Sequence, residues 1–426
     1  MPNGASTAHL YRPKLASVLR EGYDARDLRA DAAAGLTVAV VALPLSMAIA
    51  VASGVAPERG LYAAIVGGVI VSAAGGSRVQ VGGPAGAFIV LVAATAARFG
   101  LQGLLTAVLL SGLMLTLIGV ARLGSLVRHM PHAVTVSFTC AIAATIAASQ
   151  LKDFAGLQLH GPEPGAVFPK LAALAAALGS LNPSACALGA AVVAGIAALR
   201  RIRPTWPGML LGVAAASVAA WALKLPVETI GSRFGGIPRG LPLPSLPPLQ
   251  PALMLQVLPA ALSFTLLGAV ESLLSAKVAD SMTGRQHRSN MELVAQGLAN
   301  VASALFGGIC VTGTIARTAT NVRAGARSPV AGMLHAAFVL AFMMLAAPLA
   351  AYIPLAALAG LLLVVCWTMA EKAEFVRLLG RWRPASVALL TFALTLARDL
   401  TTGIVAGCVL AAVFALLRQP VAEEGA

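Results

Sequence analysis

Charge is scarce in this chain. Only 11% of its 426 residues are Asp, Glu, Lys or Arg, whereas soluble domains carry about a quarter. Aromatic residues are few as well, at 5%, and the five cysteines form an odd set with no CxxC pair. So little charge beside 58% apolar residues excludes a soluble enzyme and a disordered chain. It excludes a nucleic-acid partner too, because the basic residues are sparse and scattered among apolar runs. Cys140, Cys186, Cys310, Cys366 and Cys408 lie in apolar surroundings. They read as small buried side chains, so neither a disulfide nor a metal site is expected. HExxH, GxxxxGK[ST] and nucleophile-elbow patterns are missing, which leaves an enzyme or an ATP-driven pump without support and implies no cofactor.

What the chain has is long runs of Leu, Ala, Val and Gly without the alternation of a barrel strand. A helix crosses a bilayer in about 20 residues, and the runs predict spans near 33–53, 59–75, 84–99, 101–121, 131–151, 182–199 and 205–223. A second set lies near 256–279, 291–308, 314–323, 329–350, 354–371, 384–397 and 401–418. Residues 168–180 and 372–382 read as interfacial amphipathic pieces. With the amino terminus inside, twenty of the thirty Lys and Arg residues fall in inner segments and eight in outer ones, with Lys277 and Arg317 left within spans. That bias places both termini in the cytoplasm and explains most of the net charge of +14. No cleaved signal precedes the first apolar run near Ala32.

The spans divide the chain into a cytoplasmic segment 1–31, a first repeat 32–223, a proline-rich external linker 224–251, a second repeat 252–418 and a short cytoplasmic end 419–426. The fold class is therefore an all-α integral membrane protein of fourteen segments in a 7+7 arrangement. Its third span is preceded by Gly75-Gly76-Ser77-Arg78-Val79-Gln80-Val81-Gly82-Gly83-Pro84, and the matching span of the second set by Gly307-Gly308-Ile309-Cys310-Val311-Thr312-Gly313-Thr314. Each has a Gly pair, a short β-prone stretch and another Gly before a helix. Seven spans per half invert the second copy relative to the first, so this is the trace of an inverted repeat with two half-helices.

Extended backbone at membrane depth survives only when buried in protein or lining a cavity. Two half-helices starting there would aim their unsatisfied N–H groups, each end worth about +0.5 charge, at a common point. The anion-site candidates are Gly83, Pro84, Ala85, Gly86 and Ala87 on one side and Thr314, Ile315, Ala316 and Arg317 on the other. Pro84 suits the first helical position, where no N–H is needed. Arg317 either contacts the anion or locks onto Glu271. Glu271 is the only carboxylate in the middle of a span. Low dielectric disfavours a charged carboxylate, so Glu271 is the candidate for a coupling proton, or for a cation held with Ser275 one turn later. His335 reads as a satisfied core histidine, and Arg285-Gln286-His287-Arg288-Ser289-Asn290 as a loop that anchors the topology.

These residues resemble the SulP family of anion transporters. The carriers of the resemblance are Pro57-Glu58-Arg59-Gly60-Leu61-Tyr62 through Gly75-Gly76-Ser77-Arg78, the run Asp280 to Asn290 with Glu292, Gln296-Gly297 and Asn300, and Gly307-Gly308 through Thr318. Arg59 stands where an aromatic residue is usual. The resemblance implies core and gate domains, usually in a homodimer, with the core sliding like an elevator. It also implies an arginine ligand at Arg317, and it aligns Glu271 and Ser275 with sodium ligands of a bicarbonate-transporting member. Ile315 replaces the threonine of that sodium site, which favours protons, and Leu45 replaces the glutamine of the first span, so a polar contact there is missing. The cytoplasmic STAS domain that normally follows does not appear before Ala426.

The function expected is secondary active transport of a small oxyanion (sulfate, bicarbonate or a dicarboxylate) across the cell's inner membrane, coupled to H+ or else to Na+. An exchanger, a channel-like or motor protein of the same family and a nucleobase transporter of the same architecture are the alternatives.

Overall fold

The computed structural model describes residues 11–124, 131–159, 161, 164, 167–204, 206–398 and 400–417. Arg128, Arg418, the first ten residues and the segment 419–426 lie outside the described residues. Helix α1 (Lys14–Glu21) is amphipathic, buries Val18 and is tied by the Lys14 amide to the Gly75 carbonyl at 3.0 Å. Helix α2 (Ala25–Ala52) starts where the Asp24 carboxylate accepts from the amides of Arg26 and Asp27, both at 2.8 Å, and then continues almost uniformly apolar. A helix apolar on all sides has to be buried in protein or lipid. Helices α3 (Pro57–Tyr62) and α4 (Gly68–Ala74) run on through one π-helical turn at Ala63–Gly67.

Helix α5 (Ile89–Val120) is broken at Gly100, whose φ of 69° and ψ of −177° leave the helical region. Only glycine adopts such a conformation without strain, and the break separates the two segments expected on either side of it. Helices α6 (His132–Ala155), α7 (Val167–Ala176), α8 (Pro183–Ile202), α9 (Gly208–Ala222) and α10 (Ile230–Phe234) complete the first half. The proline-rich stretch from Ile237 to Gln250 forms no helix. It is held along its course, with the Ser245 amide on the Leu305 carbonyl at 2.8 Å and the Thr106 hydroxyl on the Pro248 carbonyl at 3.2 Å.

The second half comprises α11 (Pro251–Thr283), α12 (Ser289–Leu305), α13 (Ile315–Arg323), α14 (Val330–Ala350), α15 (Leu355–Met369), α16 (Lys372–Leu379), α17 (Trp382–Ala397) and α18 (Leu400–Leu416). Among the described residues, six helices are long and apolar enough to cross a membrane: Ala25–Ala52, Gly86–Val120, His132–Ala155, Pro183–Ile202, Pro251–Thr283 and Val330–Ala350. The pair α15 and α16 meets the same test with a bend of 41° between its members. The protein is thus a multi-pass helical membrane protein. All five cysteines are free; Cys140, Cys310 and Cys366 are buried, while Cys186 and Cys408 are half-buried.

Two short strands cross at the centre of this helical mass. Strand β1 (Gly82–Gly83) pairs antiparallel with β2 (Thr312–Gly313), Gly82 opposite Gly313 and Gly83 opposite Thr312. The segment Arg285–Asn290, expected to be a loop that anchors the topology, runs into the start of α12 and is knitted into the structure. The His287 ring meets Asp280 at 2.6 Å and Ser289 at 3.0 Å. The Arg288 amide donates to the Gly76 carbonyl, and its guanidinium donates to the Arg12 carbonyl and the Ser17 hydroxyl of α1.

Candidate functional site

The crossing of β1 and β2 depends on two glycines with reciprocal roles. A Cβ at Gly83 would collide with the Arg317 guanidinium, and a Cβ at Gly313 would collide with the Gln80 amide. Each strand therefore admits a polar side chain from the other half of the chain at the point where the two meet. The Gln80 amide donates to the Ser272 carbonyl at 3.2 Å, so it also ties the crossing to α11. Further bonds lock the register: Thr314 N to the Val81 carbonyl, Val81 N to the Thr318 hydroxyl, and the Asn321 amide to the Val79 carbonyl.

After β2 the chain turns directly into α13. Thr314 precedes its first residue in extended backbone and supplies no side-chain cap, so the N–H groups of Ile315, Ala316 and Arg317 keep the orphan status of a helix start. The Thr314 hydroxyl is buried without a partner among the described residues, and the side chains of Ile315 and Ala316 are exposed. The first half behaves differently from expectation. Pro84 does not open the helix, because Gly83, Pro84 and Ala85 stay extended and buried next to the strand register. A 3-10 turn at Gly86–Phe88 follows, and the α-helix begins only at Ile89. The uncapped amides on this side are accordingly those of Gly86, half-buried, and Ala87, buried, because the Phe88 amide donates to the Ala85 carbonyl at 3.1 Å.

Arg317 is among the most completely buried large side chains, with 1% of its surface exposed. Its Nη2 donates to the Ser46 hydroxyl at 3.0 Å and to the Pro84 carbonyl at 3.2 Å, while Nε and Nη1 have no partner among the described residues. The alternative of a lock with Glu271 is not formed among the described residues. Glu271 lies half-buried, with Oε2 unpartnered. Ser275, considered as a co-ligand to Glu271, spends its hydroxyl on Thr318 at 3.3 Å, so it joins α11 to α13. The structure thus gathers Gly83, Pro84 and Arg317 at one point, leaves the side chains of Ile315 and Ala316 exposed, and turns the Ser275 hydroxyl toward Thr318.

For several residues of the site the sequence gives no partner. Beside Leu45, which supplies no polar contact, Ser46 reaches Arg317 from α2. On α12, a polar line clamps both strand-bearing segments. The Glu292 carboxylate accepts from the amides of Gly76 at 2.9 Å and Ser77 at 3.1 Å. The Asn300 side chain donates to the Val311 carbonyl at 2.7 Å and accepts from the Val311 amide at 2.9 Å. Ser303 bonds the Ile309 carbonyl at 2.7 Å. The spacing of Glu292, Gln296, Asn300 and Ser303 on one helix face was the available signal. Arg59 serves the outer end of the same segment by donating to the Gly307 carbonyl at 3.0 Å. His335, expected to be satisfied, has no partner for either ring nitrogen among the described residues.

The model of the Sulfate permease family matches residues 28–395. The putative sulfate transporter YvdB of Bacillus subtilis is 41% identical over 402 residues, an alignment spanning 94% of this chain and 76% of YvdB. The bicarbonate transporter BicA of Picosynechococcus is 32% identical over 381 residues, spanning 86% of this chain and 67% of BicA. Among solved structures, the transmembrane domain of a cyanobacterium BicA aligns with a TM-score of 0.78 at 29% identity, covering 91% of this chain and 98% of that domain. Murine Solute Carrier 26 family member A9, an anion transporter in an inward-facing state, aligns with a TM-score of 0.88 at 17% identity over 99% of this chain and 73% of that one. At that identity the likeness establishes a common fold.

Proposed function

This chain belongs to the sulfate permease family, whose members here are transporters and not enzymes, and from that premise we propose that it is a proton-coupled carrier of a small oxyanion such as sulfate, bicarbonate or a dicarboxylate. The observation that carries the reading is the buried Arg317 guanidinium, seated in the space that Gly83 leaves open, with two nitrogens still free to donate. An oxyanion at the uncapped start of α13 gains from the aligned N–H groups, and the nearby fixed cation completes its neutralisation. Glu271 takes the coupling proton. Protons are favoured over sodium because Ile315 offers no oxygen from its side chain to a cation beside Glu271.

In this account the fourteen segments form a core that carries the strand crossing and a gate against which it slides, exposing the anion to each side in turn. Both termini face the cytoplasm, the protein sits in the cell's inner membrane, and two copies associate. The test is uptake of labelled sulfate, bicarbonate and fumarate into proteoliposomes, with and without an inward proton or sodium gradient. Accumulation of one of these anions driven by the proton gradient, and abolished as accumulation by Glu271→Gln, supports the reading. Sodium-driven uptake, or full proton-driven accumulation in Glu271→Gln, contradicts the coupling assignment.

A further inference from the structure

A cavity of about 610 Å³ lies between α1, the first turn of α2, the loop before β1, the end of α11 and the turn after α13. Its size is that of a small-molecule site, about 300–1,000 Å³, and Arg78, Arg285 and Arg327 all line it. The carboxylates of Glu21 and Asp27 line it as well, and each is already matched to one arginine. Glu21 accepts from Nη2 of Arg78, and Asp27 accepts from Nη1 of Arg327 at 2.9 Å. Arg285 is brought in just past the end of α11 by Gly284, whose φ is 68°. It is exposed and makes no hydrogen bond or ion pair among the described residues. Glu21 engages a single nitrogen of Arg78, so the rest of that guanidinium also stays available to a ligand.

More positive charge stands behind this wall. Lys14 of α1 is half-buried, and its burial and the nearness of Arg288 and Arg78 hold its ammonium below the ordinary lysine value. Arg288 gives its guanidinium to the Arg12 carbonyl and the Ser17 hydroxyl, which carry no compensating charge. Arg12 itself has a buried Nη2 without a partner among the described residues. The other acid near Lys14, Asp280, is taken by the His287 ring at 2.6 Å. Cations so placed oppose one another, and an anion entering the cavity removes that opposition.

We propose that this cavity binds an organic phosphomonoester, with the phosphate between Arg78 and Arg285 and hydroxyl groups of the ligand donating to Asp27. A phosphomonoester carries a charge of about −1.5 to −2 at neutral pH and three acceptor oxygens, which suit the planar fork of arginine donors. A carboxylate such as Asp27 is an acceptor only, so it selects a ligand that brings hydroxyl donors and is larger than bare phosphate. Glu21 competes with the phosphate for Arg78. Arg317 does not line this cavity, so the site is separate from the strand crossing and does not depend on what crosses there. An anionic lipid with a terminal phosphate offers the same chemistry as a soluble ester, and the test separates the two sources.

The experiment is calorimetric binding of glucose 6-phosphate to the purified full chain in phosphatidylcholine nanodiscs at about pH 7.5, where the ester is a dianion. Wild type and Arg317→Ala bind it alike, and glucose is not bound. Arg285→Ala, which removes an exposed and unpaired side chain, weakens binding about tenfold or more, as expected for a lost charge-assisted hydrogen bond. Glu21→Gln tightens it about two- to fivefold by removing the competing charge, an effect that damage to the fold does not produce. Phosphatidic acid added to the disc separates the sources. Unchanged affinity for the ester assigns the site to a soluble ligand, and displacement of the ester assigns it to a lipid phosphate held by the same arginines. No binding of glucose 6-phosphate in phosphatidylcholine discs overturns the proposal. Binding that Arg317→Ala abolishes, or that Arg285→Ala leaves unchanged, overturns it as well. Inorganic phosphate bound as tightly as the ester overturns the role given to Asp27 and with it the ligand class.

Discussion

Gly83 and Arg317 act as one unit at the residue scale, since the guanidinium occupies the volume that any side chain at Gly83 would need. Gly83→Ala should therefore destabilise the protein by about 1–3 kcal/mol, the usual range for overpacking, and reduce oxyanion uptake. Combined with Arg317→Ala, the same substitution should cost much less, because the colliding group is gone. Thermal unfolding of the two single variants and the double variant measures that non-additivity, and strict additivity would contradict the shared volume. Ser46→Ala removes one acceptor from a buried cation and should cost about 1–3 kcal/mol, with a smaller loss of uptake than Arg317→Ala. Arg317 and Glu271 were legible in the sequence because charge within a span is so rare. Ser46, Gln80 and Thr318 were not, because each meets its partner across more than forty residues of chain, and a serine or glutamine in an apolar run gives no sign of what it faces.

The deciding feature at the scale of elements is how the strand crossing is held. Asn300 satisfies both the N–H and the C=O of Val311, a pairing that a strand neighbour would otherwise provide. Asn300→Leu leaves both groups buried and unpaired, at about 1–3 kcal/mol for each. Faster hydrogen exchange at Val311 and Thr312 than elsewhere in the core is the expected signature, and unchanged exchange there would remove the clamp from the account. A second tie joins α1 to the loop before β1 through Glu21 and Arg78. The hydrogen bond from Arg78 holds the Glu21 carboxyl below its ordinary value. The tie is therefore complete above the usual glutamate range near 4.3 and is lost as the pH falls through the depressed value. Limited proteolysis before α2 should be slow at neutral pH, faster in acid, and pH-insensitive in Arg78→Ala. The sequence showed both Gly-rich entries and the helix after each, but placed the first helix start at Pro84. The pairing of Gly82 and Gly83 with β2 keeps the following residues extended until Gly86, a constraint imposed by the distant strand that no local propensity records.

For the whole molecule, scarcity of charge and long apolar runs were enough to read a multi-pass helical membrane protein, and the family match over residues 28–395 agrees with that reading. The long helices are plain in the sequence, whereas α9, α17 and α18 are short for a crossing, and their place in the bilayer depends on neighbours rather than on their own length. The strand crossing gathers the buried Arg317, Gln80 and Thr314, while the ion pairs Arg78–Glu21 and Arg327–Asp27 each keep an exposed member, an arrangement suited to holding a charged cargo in an apolar surround. The central claim is that this crossing, with Arg317 in the gap beside Gly83, is where the anion binds. Uptake of labelled sulfate by proteoliposomes of wild type and Arg317→Ala tests it most directly. The account predicts saturable wild-type uptake that falls at least tenfold in the folded variant, and uptake with equal rate and equal saturation in the two proteins would contradict it.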